Sequence, residues 1–242
     1  MPKLGKGTEC VQLLLSQVSK DMHEPLVPMF FPILGAQVSE SEFQYPDLSW
    51  KELCGMMGNL VADSGCNKGQ LSNIVEAICH NMREHDNTEL EKLVEWQKQM
   101  KTKSANKEKP ARPDVSFWFP PADVTNAAFI QNAMACEKLG ERTQYLNLPE
   151  VEMADRMCGG HKQISQMLRN IYDRQRSGAL RATVEGVTGN PVLRANLTIS
   201  STPYAARKFY KNELFNGTFG RMMFSFKARM GRDGRIPRQG KY

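Results

Sequence analysis

Between Leu60 and Leu71 the chain passes from an apolar run, Leu60-Val61-Ala62, through the small residues Asp63-Ser64-Gly65-Cys66-Asn67 to Lys68-Gly69-Gln70 and an amphipathic segment. A buried strand that turns through small residues into a helix presents a row of backbone N–H groups at the helix start, where the helix dipole is positive. A lysine at that point adds a full charge. This is the layout of a phosphate-binding loop, whose standard form is G-x-x-x-x-G-K-[ST]. Here Ala62 and Asn67 stand at the two glycine positions and Gly69 at the hydroxyl position, so Lys68 is the diagnostic residue that remains. The nucleotide-binding candidates are Ala62, Asp63, Ser64, Gly65, Cys66, Asn67, Lys68, Gly69 and Gln70. Small-residue turns before helices also form without a ligand.

A chain of 242 residues with 40% apolar content can bury a full core. The longest apolar patch, Leu26 to Ala36, is short and interrupted by Pro28 and Pro32, so no membrane span is expected. The first residues lack a basic region followed by an apolar run, and the expected location is cytoplasmic. Six cysteines without C-x-x-C pairing and four histidines without ligand spacing predict free thiols and no metal site. Cys66, among amide donors at a helix start, has the setting that lowers a thiol pKa, although packing accounts for a cysteine there equally simply.

The spacing of Val11, Leu14, Leu15 and Val18 predicts a helix over Thr8–Met22, followed by a second from His23 to Val38 that Pro28 and Pro32 kink or break. Phe43 to Asp47 reads as a connector. Leu53–Val61 reads as a buried strand, Gly69–His85 as a helix, and Asp86-Asn87-Thr88-Glu89 as the cap of a further helix. Val115–Phe119 is β-branched and aromatic and predicts a strand; Asp123 is expected to cap the next helix, which ends near Gly140. A strand at Thr143–Leu148, a helix at His161–Arg174, strands at Leu180–Val184 and Val192–Ser200, a helix from Pro203 and a strand at Met222–Phe226 complete the pattern. Strands alternating with helices predict an α/β fold with a mostly parallel sheet covered on both faces. The expected division is a helical N-terminal extension over residues 1–50, a main domain over 51–228 and a basic tail over 229–242.

Phosphoryl transfer needs a cation for the phosphates, an acid for magnesium or water, and usually an arginine for developing charge. Lys68 is the cation. Glu150 and Glu152 lie just past a strand, where an α/β sheet places functional carboxylates, and they equally favour the N-terminus of the following helix. Gly69 removes the hydroxyl that normally holds Mg2+, which leaves the metal to carboxylates and water. Ser201 and Thr202 end a strand before Pro203, a position that also suits helix capping. Tyr204, Phe209 and Tyr210 beside Arg207, Lys208 and Lys211 suit either base stacking or core packing. The net charge of +6 is concentrated in the tail: from Lys227 onward there are six basic residues, among them Arg229, Arg232, Arg235 and Arg238, against the single acid Asp233. Such a tail is a nucleic-acid contact or a solvated end.

Ala62 with Lys68-Gly69, Ala105 to Pro110, Pro149-Glu150-Val151-Glu152, Ser201-Thr202-Pro203 and Asn216 to Arg221 follow in one order across residues 50 to 228. In this the chain resembles the P-loop ATPase domain of primase- and helicase-associated proteins of bacterial mobile elements and phages, whose loop reads A-P-P-A-S-G-K-G. The resemblance implies a RecA-like P-loop NTPase core binding ATP and Mg2+ and acting on DNA, single-stranded in the main, in replication or mobilisation. It implies Glu150 as the leading catalytic acid with Glu152 beside it, Ser201 and Thr202 as sensors of the γ-phosphate, and Arg221 as an arginine reaching a nucleotide, in a neighbouring subunit if the protein is a homo-oligomer. The alternative is a non-hydrolysing nucleic-acid-binding or scaffolding relative whose loop has lost its glycines and hydroxyl.

Overall fold

The structure, a computed structural model, describes residues 8–39, 42–44, 46–47, 49, 51–53, 55–102, 110–140, 142–158, 164–178, 188–211 and 217–227. Its centre is strand β3, Met57–Ala62, buried at every position. Strands β1 (Glu42–Phe43) and β2 (Glu52–Leu53) form a separate antiparallel pair before it. Strands β4 (Gln144–Leu148), β5 (Ala195–Ser201) and β6 (Met223–Lys227) complete a four-stranded parallel sheet in the order β4-β5-β3-β6. Met57 to Val61 pair with Leu197 to Ser201, and Gly58 to Ala62 pair with Met223 to Lys227. A strand flanked on both sides and covered on both faces must read as a continuous apolar run, as this one does apart from Asn59.

Helices cover both faces. On one lie α1 (Glu9–Ser16), α2 (His23–Gln37), α3 (Gly69–Ile78) and the start of α4 (His80–Thr102), whose Leu15, Met22, Phe30, Leu71, Val75 and Met82 enclose Leu60 and Tyr145. On the other lie α5 (Asn126–Lys138), α6 (Val151–Met157), α7 (Ile164–Tyr172) and α8 (Pro203–Tyr210), packed on Met57, Val61, Leu146 and Ile199. Helix α2 lies close against the sheet: a Cβ at Gly58 would come within 2.8 Å of the Met29 methyl group. No helix among the described residues is long and apolar enough to cross a membrane.

Several elements differ from the sequence expectation. Helix α2 runs unbroken through Pro28 and Pro32; Pro25 sits in the first turn, where no N–H is needed, and the Pro32 carbonyl accepts a bond from Asn196 Nδ2 at 3.1 Å. The N-terminal helix stops at Ser16 and resumes as a 3-10 turn at Lys20–Met22. The expected strand over Leu53–Val61 divides, with Leu53 in β2 and Met57–Ala62 in β3. The expected helix over Gly69–His85 breaks at Cys79, and α4 continues from His80 through the expected cap at Asp86. Thr125, rather than Asp123, caps α5, accepting from the Ala128 amide; Asp123 pairs with Arg156. The expected strand at Leu180–Val184 and residues 161–163 lie outside the described residues.

The largest departure is Val115–Phe119, which is not a strand: residues 115–117 have no regular structure and the chain bends at Trp118 and Phe119. Its amides go to side chains: Ser116 to Glu89, Phe117 to Asn132 (2.8 Å), and Trp118 and Phe119 to the two oxygens of Asp86 (2.7 Å each). One ladder-like bond, from the Tyr145 amide to the Trp118 carbonyl, ties this strap to β4. Asp86 is buried, and that burial pushes its carboxyl pKa up, against the two amide bonds and His85, which pull it down.

Asp86→Ala should therefore lower stability by about 3 kcal/mol, because it strands two amides that now share one carboxylate. The midpoint of thermal unfolding should fall by about 6–12 °C. A second readout follows from the raised pKa. The folded chain holds this proton more tightly than the unfolded chain, so the group's contribution falls as pH rises above the ordinary aspartate range. Stability measured against pH should be flatter there in Asp86→Asn than in the parent.

Candidate functional site

The loop between β3 and α3 folds by local rules. The Cys66 amide closes a turn on the Asp63 carbonyl at 3.3 Å, and the Gln70 and Leu71 amides start the helix on the carbonyls of Asn67 and Lys68, each at 3.0 Å. Gly65 (φ 80°) and Asn67 (φ 59°) both take left-handed backbone. Glycine adopts this without cost and asparagine tolerates it better than most residues, which accounts for Asn67 at a glycine position. The amides of Gly65, Asn67, Lys68 and Gly69 donate to none of the described residues. A Cβ at Gly65 or Gly69 would meet nothing within 4 Å, so the space beside both glycines is open.

Lys68 is half-buried, and its ammonium donates to the Ala62 carbonyl at 3.0 Å and the Ser201 carbonyl at 3.3 Å. These are the C-terminal ends of β3 and β5. The lysine thus sits where two neighbouring parallel strands present outward carbonyls, beside the open amides. Gln70 departs from the expected cradle: its amide is used within the helix start, and its side chain is tied to Ser19, whose amide reaches Oε1 at 3.0 Å.

Glu150 is exposed at the N-cap of α6 and makes no capping bond; Glu152 is exposed in the first turn. The register sets their height. Leu148 pairs with Ile199, and Ile199 with Asn59, so β4 ends level with Ile199 of β5 and Asn59 of β3, and Glu150 follows two residues beyond. Among the described residues no group of three His, Cys, Asp or Glu side chains could hold a metal ion.

Ser201 and Thr202 are both engaged. The Ser201 hydroxyl turns inward and donates to Asn59 Oδ1 at 2.8 Å, and Asn59 Nδ2 donates to the Tyr210 hydroxyl at 3.0 Å. Thr202 caps α8, accepting from the Ala205 amide at 3.2 Å. What Ser201 turns toward Lys68 is its carbonyl. Arg221 is apart from the loop: it precedes β6, whose last residue pairs with Ala62 about 13 Å along the strand from its first. Its guanidinium forks onto Asp173 at 3.0 and 2.9 Å and also donates to the Gly217 carbonyl at 3.0 Å. Asp173 pushes the arginine pKa further up. Arg229, Arg232, Arg235 and Arg238 lie outside the described residues.

Two features were missed in the sequence. Asn59 is the polar residue in an otherwise apolar buried strand, and that interruption was the available signal. Asp21, paired with Lys227 at 2.8 Å where β6 ends beside Ala62, had no local signal.

Tyr210→Phe removes the acceptor of a fully buried Asn59 amide and should lower stability by about 1–3 kcal/mol in denaturant titration. Tyr204→Phe, at an exposed position on the same helix, should leave it within about 0.5 kcal/mol.

No protein-family model matches the chain, and no curated protein matches it significantly.

Proposed function

We propose that the chain is a RecA-like P-loop protein that binds ATP through the loop at Lys68 and acts on DNA in replication or mobilisation of a genetic element. The observation that carries the nucleotide half is the convergence of an ammonium on the carbonyl ends of β3 and β5 with four loop amides that have no acceptor among the described residues. Phosphate oxygens would take those amides, and Lys68 would exchange its carbonyl partners for them. β5 separates the loop strand from the strand that precedes Glu150, and a terminal phosphate with an attacking water would have to lie between lysine and acid. Glu150, exposed and uncommitted as a cap, is the group to orient that water. Magnesium bound with ATP would supply charge neutralisation; with glycine at position 69, the exposed acid Glu150 and the loop's Asp63 are the carboxylates proposed for it.

The DNA half rests on the resemblance and on the basic charge, with Arg229, Arg232, Arg235 and Arg238 proposed as phosphate contacts. A non-hydrolysing relative is the second reading. It is favoured by the inward-turned Ser201 hydroxyl and by Arg221, which would have to release Asp173 before reaching a nucleotide on a neighbouring subunit.

Lys68→Ala should weaken Mg-ATP binding at least tenfold, about 1.4 kcal/mol, by calorimetry. Equal affinity in variant and parent would remove the phosphate-loop reading. Glu150→Gln should retain binding and lose turnover, since the isostere keeps shape without charge. A parent with no ATPase activity, alone or with DNA, would support the second reading, and loss of turnover in Glu152→Gln instead would move the role to that residue.

A further inference from the structure

The aromatic residues around α8 divide sharply by exposure. Tyr210 is buried and Phe209 half-buried, so both serve the core, whereas Tyr204 is 79% exposed. Arg207, Lys208 and Lys211 are also exposed and follow Tyr204 at i+3, i+4 and i+7, so all four lie on one helix face opposite the buried Ala206 and Tyr210. The helix carries no acid.

Beside it, a ladder of rings runs through α8, the 3-10 turn Phe219–Arg221 and β6, the last strand of the described sheet. Tyr210 meets Phe224 edge-on at 5.0 Å and Phe219 at 6.2 Å; Phe219 stacks on Phe224 at 4.5 Å, and Phe224 on Phe226 at 6.4 Å. The ladder opens outward. Phe219 is 41% exposed and Phe226 is 69% exposed, at the end of β6 that pairs with Ala62. Leaving a phenylalanine that open on an edge strand costs burial energy that any inward turn would recover. An open aromatic ladder beside a helix whose outer face is basic matches one partner: rings stack on bases, and the cations follow the phosphates.

We propose that the exposed faces of Phe219, in the 3-10 turn before β6, and Phe226, near the end of β6, with Tyr204, Arg207, Lys208 and Lys211 on α8, form a binding surface for single-stranded nucleic acid along the β6 margin of the sheet. The proposal rests on the DNA half of the functional reading and is independent of nucleotide binding. Duplexes are poor occupants, because their bases offer no free faces to rings set on a flat strand edge. Sequence preference should be weak, since every base has a face on which to stack.

The test is fluorescence anisotropy of a labelled oligothymidylate of about twenty nucleotides titrated with the full chain over a salt series. Phe226→Ala and Tyr204→Ala should each lower affinity about fivefold or more, and Phe226→Trp should restore it. Replacing Arg207, Lys208 and Lys211 together by glutamine should reduce the slope of log affinity against log salt by up to about 2, at roughly 0.7 per lost phosphate contact. All these side chains are exposed, so unchanged thermal midpoints keep the comparison clean. Unchanged affinity and slope in variants of a parent that binds the oligonucleotide would overturn the surface and leave DNA binding to another part of the chain. A parent that binds no oligonucleotide at any salt would overturn both the surface and the DNA reading, leaving the Lys68 test of ATP binding untouched. A parent dimer in sedimentation that Phe226→Ala dissociates, with oligonucleotide affinity unchanged, would assign the ladder to contact between copies and overturn the proposal.

Discussion

The burial of β3 on both faces and along both edges is the constraint on which the rest is built. Its backbone is paired with β5 and β6, Leu60 faces the α2–α3 layer, and Met57 and Val61 face the opposite layer. A strand so enclosed has little freedom in where its last residue ends. The loop after Ala62 therefore starts from a fixed point, and Lys68 returns to that same point by bonding the Ala62 and Ser201 carbonyls. Rigid elements on both sides of a small loop are what keep open amides aimed in one direction.

The same strand explains the polar network beneath the loop. Asn59 is fully buried, and its two polar ends are satisfied from different elements, one by Ser201 on β5 and one by Tyr210 on α8. Each bond is of ordinary length, but a buried amide unsatisfied at either end is costly, so the three residues specify one another. They also join α8, whose outer face is basic, to the strand that carries the loop.

Elements set by short-range pattern were legible. The periodicity of Leu71, Ile74 and Val75 marks α3, Thr202-Pro203 marks the start of α8, and Gln144–Leu148 reads directly as β4. Val115–Phe119 was not, because its strand propensity is real but its hydrogen bonds are taken by Asp86, Glu89 and Asn132, which are remote in sequence. Asp86 in turn looked like a helix cap because aspartate before Asn-Thr-Glu ordinarily is one; its role depends on a segment 32 and 33 residues away. Of the candidate site, the loop and Lys68 were visible as a spacing of residue types, and so was the capping alternative for Thr202. The setting of Arg221 was not, since nothing local says which end of β6 lies beside the loop or that Asp173 waits there.

The strap at Val115–Phe119 also makes the two margins of the sheet unequal. Along β4 the outer side is met at Tyr145 by a segment whose own amides, from Ser116 to Phe119, are consumed by two carboxylates and an amide side chain, so those amides cannot template another strand. The opposite margin, β6, ends the described sheet without such a closure. Among the described residues β6 is the margin left without a neighbour, and the other margin is occupied by a segment that the carboxylates of Asp86 and Glu89 on a helix hold in place.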